Sequence, residues 1–171
     1  MRKVLHLLFV MTALATLQCR SGNGVEPAPV GYHAPSVPAR HPERVSIQQG
    51  VWGDVWFLEG NFMPTQPSGT TTAVRREMRI YELTSLADVE LVQPPYTDFF
   101  SRVHTRLVAR TWSDADGFFQ LRLSPGTYSL FAVENGSLYA NSFGDHGISP
   151  VEVKGGAVTP VLFRIDYRAR Y

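Results

Sequence analysis

Few residues in this chain have the types and spacing that chemistry requires. Asp114-Ala115-Asp116-Gly117 sets two carboxylates one residue apart before a glycine, as calcium-binding loops do. An EF-hand loop needs a third oxygen ligand before its glycine and a glutamate after it, and neither is present. The pattern is then turn chemistry, in which short acidic side chains accept hydrogen bonds from nearby amides and Gly117 tolerates positive φ. Gly144-Asp145-His146-Gly147 places a carboxylate beside an imidazole, with Asn141 close by. Asp145 and His146 are weak candidates for holding a metal or ligand, although two polar residues between glycines also read as a solvated turn. His33 and His41 fall in a proline-rich stretch, and His104 has no H-x-x-E partner. The chain contains no Gly-x-Ser-x-Gly elbow, P-loop or dinucleotide fingerprint. These patterns predict a protein that is not an enzyme, with no catalytic residue and no cofactor.

The elements carrying these residues are strands. Phe119, Leu121 and Leu123 alternate with Gln120 and Arg122, the two-residue period of a half-buried strand. Ser124-Pro125-Gly126 breaks the run, and alternation resumes with Tyr128, Leu130 and Ala132, which predicts an antiparallel hairpin whose inward sets face each other. Further strands are expected over Ser46–Leu58, Val74–Leu83, Arg106–Trp112, Ser137–Phe143, Pro150–Lys154 and Ala157–Tyr167. Gly50 and Gly53 in the first suggest a bulge or close backbone packing, and Pro160 marks the last as an edge strand. Phe118, Phe131 and Val133 fall on the nominally outward side, so the 83–104 stretch, with Leu86, Val89, Leu91, Tyr96, Phe99 and Phe100, is expected to lie across that sheet. The fold expected is an all-β, antiparallel, Ig-like or prealbumin-like sandwich of about seven strands.

The series D-x-D-G-x-F-x-L-x-L-x-P-G-x-Y-x-L over residues 114–130 resembles the core signature of the carboxypeptidase regulatory-like domain, a transthyretin-type (prealbumin-like) β-sandwich. Gly50-Val51-Trp52-Gly53-Asp54-Val55-Trp56 is similar to that family's first strand, and Val151-Glu152-Val153-Lys154-Gly155-Gly156 to its late hairpin. The resemblance covers residues 46–166, with insertions at 65–73 and 83–104. It implies an accessory domain and not the zinc-bearing catalytic domain, whose ligand pattern is absent from the sequence. Lys154 is the one lysine after the leader, which argues against the Lys–Asn crosslinks that some related sandwiches form.

Composition agrees with a single ordered domain: aromatic residues make up 12% and apolar residues 44% of the chain. Residues 1–18 read as a signal peptide, with Arg2 and Lys3 before an apolar core too short to span a membrane comfortably. Removing those two from the 16 basic residues leaves 14 against 15 acidic ones, so the mature protein lacks an electrostatic footprint for nucleic acid. Cleavage after Ala13-Leu14-Ala15 competes with lipidation at Cys19, the single cysteine. Ala15-Thr16-Leu17-Gln18-Cys19 loosely resembles a lipobox, and a lone cysteine has no disulfide partner, so lipidation is favoured.

Residues 19–45 hold five prolines and no alternating apolar pattern, the composition of a disordered tether, which leaves 46–171 as the sandwich domain. The expected protein is a bacterial outer-membrane or periplasmic lipoprotein, held to the membrane by its lipid, whose sandwich is an interaction or structural module for envelope proteins or glycans. A soluble secreted or periplasmic protein is the alternative location. The alternative function is carbohydrate or small-ligand binding through exposed aromatics, with Tyr96, Phe99 and Phe100 as weak candidates beside Trp52, Trp56 and Tyr139.

Overall fold

Val51 to Leu58 is an almost unbroken apolar run, and a strand of that kind is stable only if both of its faces are covered. The computed structural model, which describes residues 41–92, 97–144 and 147–171, places this run in β1 (Gly50–Asn61). There follow β2 (Thr70–Ala73), β3 (Glu77–Glu82), β4 (Val89–Leu91), β5 (Phe99–Val103), β6 (Leu107–Trp112), β7 (Phe118–Leu121) and β8 (Gly126–Glu134). The chain ends with β9 (Ser137–Tyr139), β10 (Phe143–Gly144), β11 (Gly147–Ile148), β12 (Pro150–Val153) and β13 (Val158–Arg170). The fold is all-β and sandwich-like. It is cut more finely than the alternation suggests, because several short strands each pair with only part of a longer one.

β1 lies inside a four-stranded sheet, with β13 along one side and β7 and then β2 along the other. The β1–β13 pairing is parallel, from Gly50↔Val158 to Asn61↔Arg170, with a register shift between Phe57 and Glu59. Parallel neighbours need a long connection, and here nearly the whole domain supplies it. Gly53 permits the approach: a Cβ there would sit 2.2 Å from the Val161 carbonyl oxygen. Close packing is therefore the reason for this glycine. Among the described residues β13 pairs only with β1, so Pro160 lies on an edge strand there.

The facing sheet has seven strands in the order β4-β5-β9-β8-β3-β6, with β12 beside the first half of β8. Between the sheets, Val51, Val55, Phe163 and Ile165 meet Met78, Ile80, Leu130 and Ala132. The expected β7–β8 hairpin is not formed. β7 pairs with β1 and β8 with β3, so Ser124-Pro125-Gly126 carries the chain from one sheet to the other. The inward sets still meet, Phe119 and Leu123 with Tyr128 and Leu130, but across the core and not along a ladder.

Outside the seven-stranded sheet a second cluster gathers Tyr81, Phe100, Phe131, Leu138, Ala140 and Ile148. Phe131 takes ring edges from Tyr81 at 5.5 Å and Phe100 at 5.6 Å. The 83–104 stretch does cover Phe131, extending the sheet through β4 and β5 and bringing Val89 and Val103 against the cluster. Phe118 belongs to the other sheet and has a different cover. Truncating Phe100 to Ala is expected to cost about 3–5 kcal/mol by urea unfolding, whereas Leu86→Ala, at a residue 62% exposed, stays within about 0.5 kcal/mol.

Candidate functional site

Asp54 is an anomaly: a carboxylate in mid-strand, completely buried, flanked by Gly53 and Val55 in an apolar run. Its β1 neighbours alternate, Val51 and Val55 into the core and Trp52, Asp54 and Trp56 to the outer face of the four-stranded sheet. On that face His41 Nδ1 lies 2.8 Å from Asp54 Oδ1, and the imidazole edge meets the Phe118 ring at 6.0 Å. His41 caps a 3-10 turn at Pro42–Arg44, and residues 41–46 form a strap over this face. The Arg44 guanidinium lies 4.3 Å from the Phe118 ring centre and bonds the Asp114 carboxylate, with Asp116 3.7 Å away. Ser46 and Gln120 exchange two hydrogen bonds, at 2.9 and 3.0 Å. Residues 41–46, most of them in the proline-rich stretch by composition, thus bond to the sandwich.

The Asp114 turn has the form its sequence implies. Asp114 Oδ1 accepts from the amides of Asp116 (2.9 Å) and Phe118 (3.1 Å), Gly117 N donates to the Asp114 carbonyl, and Gly117 adopts φ +82°. Burial pushes the Asp114 carboxyl upward, but Arg44 and the two amides outweigh it and hold it below the usual carboxylate range. Among the described residues, no three His, Cys, Asp or Glu side chains converge as metal ligands.

A second carboxylate cluster ties β13 to the seven-stranded sheet. Asp166 accepts from Tyr139 OH at 2.8 Å, Tyr171 OH at 2.9 Å and Asn141 Nδ2. Burial, reinforced by the Asp166 charge, pushes the Tyr139 phenol far above its ordinary value and that of Tyr171 up to about 12. Glu134, almost fully buried, is held by Arg76 and by Tyr167 OH at 3.1 Å. Asp54, Asp166 and Glu134 are the residues that sequence reasoning passed over. Only Asp54 carried a signal, a charge within a two-face-buried run.

The ligand candidates go elsewhere. Phe99 is buried against Tyr139 and Tyr167, at 5.1 Å from each, and Phe100 lies in the second cluster. Trp52, Trp56 and Tyr139 are buried too, so these five aromatics form no open platform. Tyr96, Asp145, His146 and Cys19 lie outside the described residues. Among the described residues, a cleft of about 610 Å³ lies between β12 and β13. Its floor includes Val151, Val161 and Phe163, and its rim carries Glu152, Lys154 and Arg164. Thr159 Oγ1 bridges the sheets there, donating to the Glu152 carbonyl at 2.6 Å.

No known protein family, curated protein or solved structure gives a significant match to the chain. Among the described residues, no helix is long and apolar enough to cross a membrane.

Two pH effects follow. Because the folded-state pKa of Asp114 is lowered, its stabilisation is present above the unfolded value of about 3.9 and is lost as pH falls through the folded value. The stability gap between the native chain and Asp114→Asn is therefore expected to close on acidification below about pH 4, measured by urea unfolding across pH. Tyr171 is raised, so its contribution is complete below about pH 10 and is lost as pH rises through about 12. Ultraviolet titration of Asp166→Asn should show a phenol ionising at lower pH than in the native chain.

Proposed function

We propose that this protein is a non-catalytic cell-envelope lipoprotein, acylated at Cys19, whose β-sandwich serves as an interaction or structural module. The domain resembles carboxypeptidase regulatory-like accessory domains in its ordered strand and turn motifs. The observation that carries the reading is the use made of the acidic groups. Asp54, Asp114, Glu134 and Asp166 each accept hydrogen bonds that hold a strap, a turn or a strand end in place. What the sandwich offers a partner is surface, above all the cleft between β12 and β13, with an apolar floor and a rim of both charges suited to a protein segment or a glycan.

The lipid anchor accounts for the order of parts: an apolar leader, a single cysteine, then a proline-rich stretch before the sandwich. The mature protein is expected in the membrane fraction with an intact mass carrying a diacylglyceryl addition at Cys19. Cys19→Ser is expected to move it to the soluble fraction. A mature mass beginning after Ala15 with no lipid refutes the anchor, whatever the sandwich binds.

A further inference from the structure

The ladder between β1 and β13 defines which backbone groups of β13 point away from the sheet. Gly50 N donates to the Ala157 carbonyl at 3.1 Å. In a parallel ladder the residues that bond one neighbour alternate, so Thr159, Val161 and Phe163 bond toward β1, and Pro160, Leu162 and Arg164 turn their backbone groups the other way. Asp166, next in that second series, agrees: its N–H donates to Tyr139 OH at 3.2 Å, away from β1. Both ends of the outward run are closed. Asp166 and Tyr139 occupy one end, and at the other Thr159 Oγ1 donates to the Glu152 carbonyl beside Pro160, which has no N–H. Between these ends, among the described residues, no strand pairs with β13, and the cleft between β12 and β13 opens onto it. Leu162 there is 39% exposed.

We infer that the β13 edge at residues 160–164 takes an extended peptide segment of a partner as an added strand, one that carries an acidic side chain opposite Arg164. The inference rests on the reading of the sandwich as an interaction module and names the partner that this reading leaves open. The backbone comes first. The amides of Leu162 and Arg164 and the carbonyls of Pro160, Leu162 and Arg164 repeat at strand spacing, a series that another extended backbone matches bond for bond. Side chains of an added strand alternate between two faces. One set enters between the sheets over Leu130, Val151 and Phe163, the apolar floor of the cleft, and the other lies beside Leu162 and Arg164. Charge then selects the partner. Glu152 and Lys154 lie 3.8 Å apart on the rim and offset each other, whereas Arg164 enters no ion pair among the described residues. A carboxylate on the added strand supplies the missing countercharge, and a guanidinium can hold it with two parallel bonds. The open run is about 16 Å long at strand spacing, so the segment that docks is short, about five residues. A glycan suits the apolar floor but not the regular spacing of donors and acceptors along the edge.

The test uses the leader-free chain with Cys19→Ser for solubility, and the blocked heptapeptide Val-Thr-Val-Glu-Val-Thr-Val as the probe. Hydrogen exchange read by NMR is expected to show the Leu162 and Arg164 amides protected when the peptide is added. Methylating the peptide nitrogens that face the edge should weaken binding about tenfold or more by fluorescence anisotropy, and so should replacing its glutamate with lysine. Arg164→Glu is expected to reverse the preference, favouring the lysine peptide, while Arg102→Glu in the other sheet leaves it as it was. Should Arg164→Glu fail to fold, the methylated peptide on the native chain decides. No amide protection at about 1 mM peptide overturns the inference. Equal affinity for the glutamate and lysine peptides also overturns it. Protection confined to β4 or β6, the edges of the seven-stranded sheet, overturns it but keeps the interaction reading. Protection of Leu162 and Arg164 by N-acetylglucosamine oligomers and not by the peptide does the same, in favour of a glycan. Protection that grows with protein concentration alone gives the edge to a second copy and overturns it. If neither probe protects any edge, the interaction reading falls with the inference.

Discussion

Two-sided burial of β1 is the constraint from which the rest of the structure follows. A strand with Val51 and Val55 on one face and Trp52, Trp56 and Leu58 on the other must have a layer on each side. The seven-stranded sheet supplies the inner layer, and His41 and Arg44 cover Asp54 and Phe118 on the outer face. Its ladder is equally enclosed, by β13 on one side and β7 and β2 on the other, so its backbone groups are paired along most of its length. Closing the first strand onto the last in parallel fixes the ends of the domain against each other, a pairing of large sequence separation whose loop-closure cost slows folding.

Given that frame, four carboxylates act as fasteners, Asp54 and Glu134 buried and Asp114 and Asp166 half-buried. Asp54 holds the strap, Asp114 joins a turn to the same strap through Arg44, Asp166 gathers two phenols and an amide from β9, the loop after it and the C-terminus, and Glu134 fixes the end of β8. Each carboxylate is taken out of water only where donors replace its hydration. One concave surface of the sandwich lies at the β12–β13 opening. The same opening leaves the free edge of β13 exposed to strand pairing, and Pro160 there removes one backbone donor that such pairing would use.

Much of the fold was legible because alternation and turn chemistry are local. The strands around Met78 and Ile80, around Phe119 and around Leu130 follow the two-residue period, and the Asp114 turn forms as written. The Phe131 face also announced its need for cover, since apolar residues occupied both sides of one strand. The exposed-aromatic platform failed for a related reason. Trp52, Trp56, Phe99 and Phe100 look available only while the second layer on each sheet is unseen. Phe118 was grouped with Phe131 because the two are close in sequence, and the change of sheet at Ser124-Pro125-Gly126 separates them.

The sequence by itself determined the all-β class, the strands around Met78, Phe119 and Leu130, the turn at Asp114 and the edge position of Pro160, because each depends on side-chain period or backbone freedom within a few residues. Only the tertiary structure decided that Asp114 would hold Arg44, that His41 would meet Asp54, and that the first and last strands would lie side by side in parallel. Those pairings join residues from 13 to more than 100 positions apart. They are selected by which arrangement buries both faces of β1 while leaving its buried carboxylate, Asp54, partnered, a condition on the whole chain that no local pattern encodes.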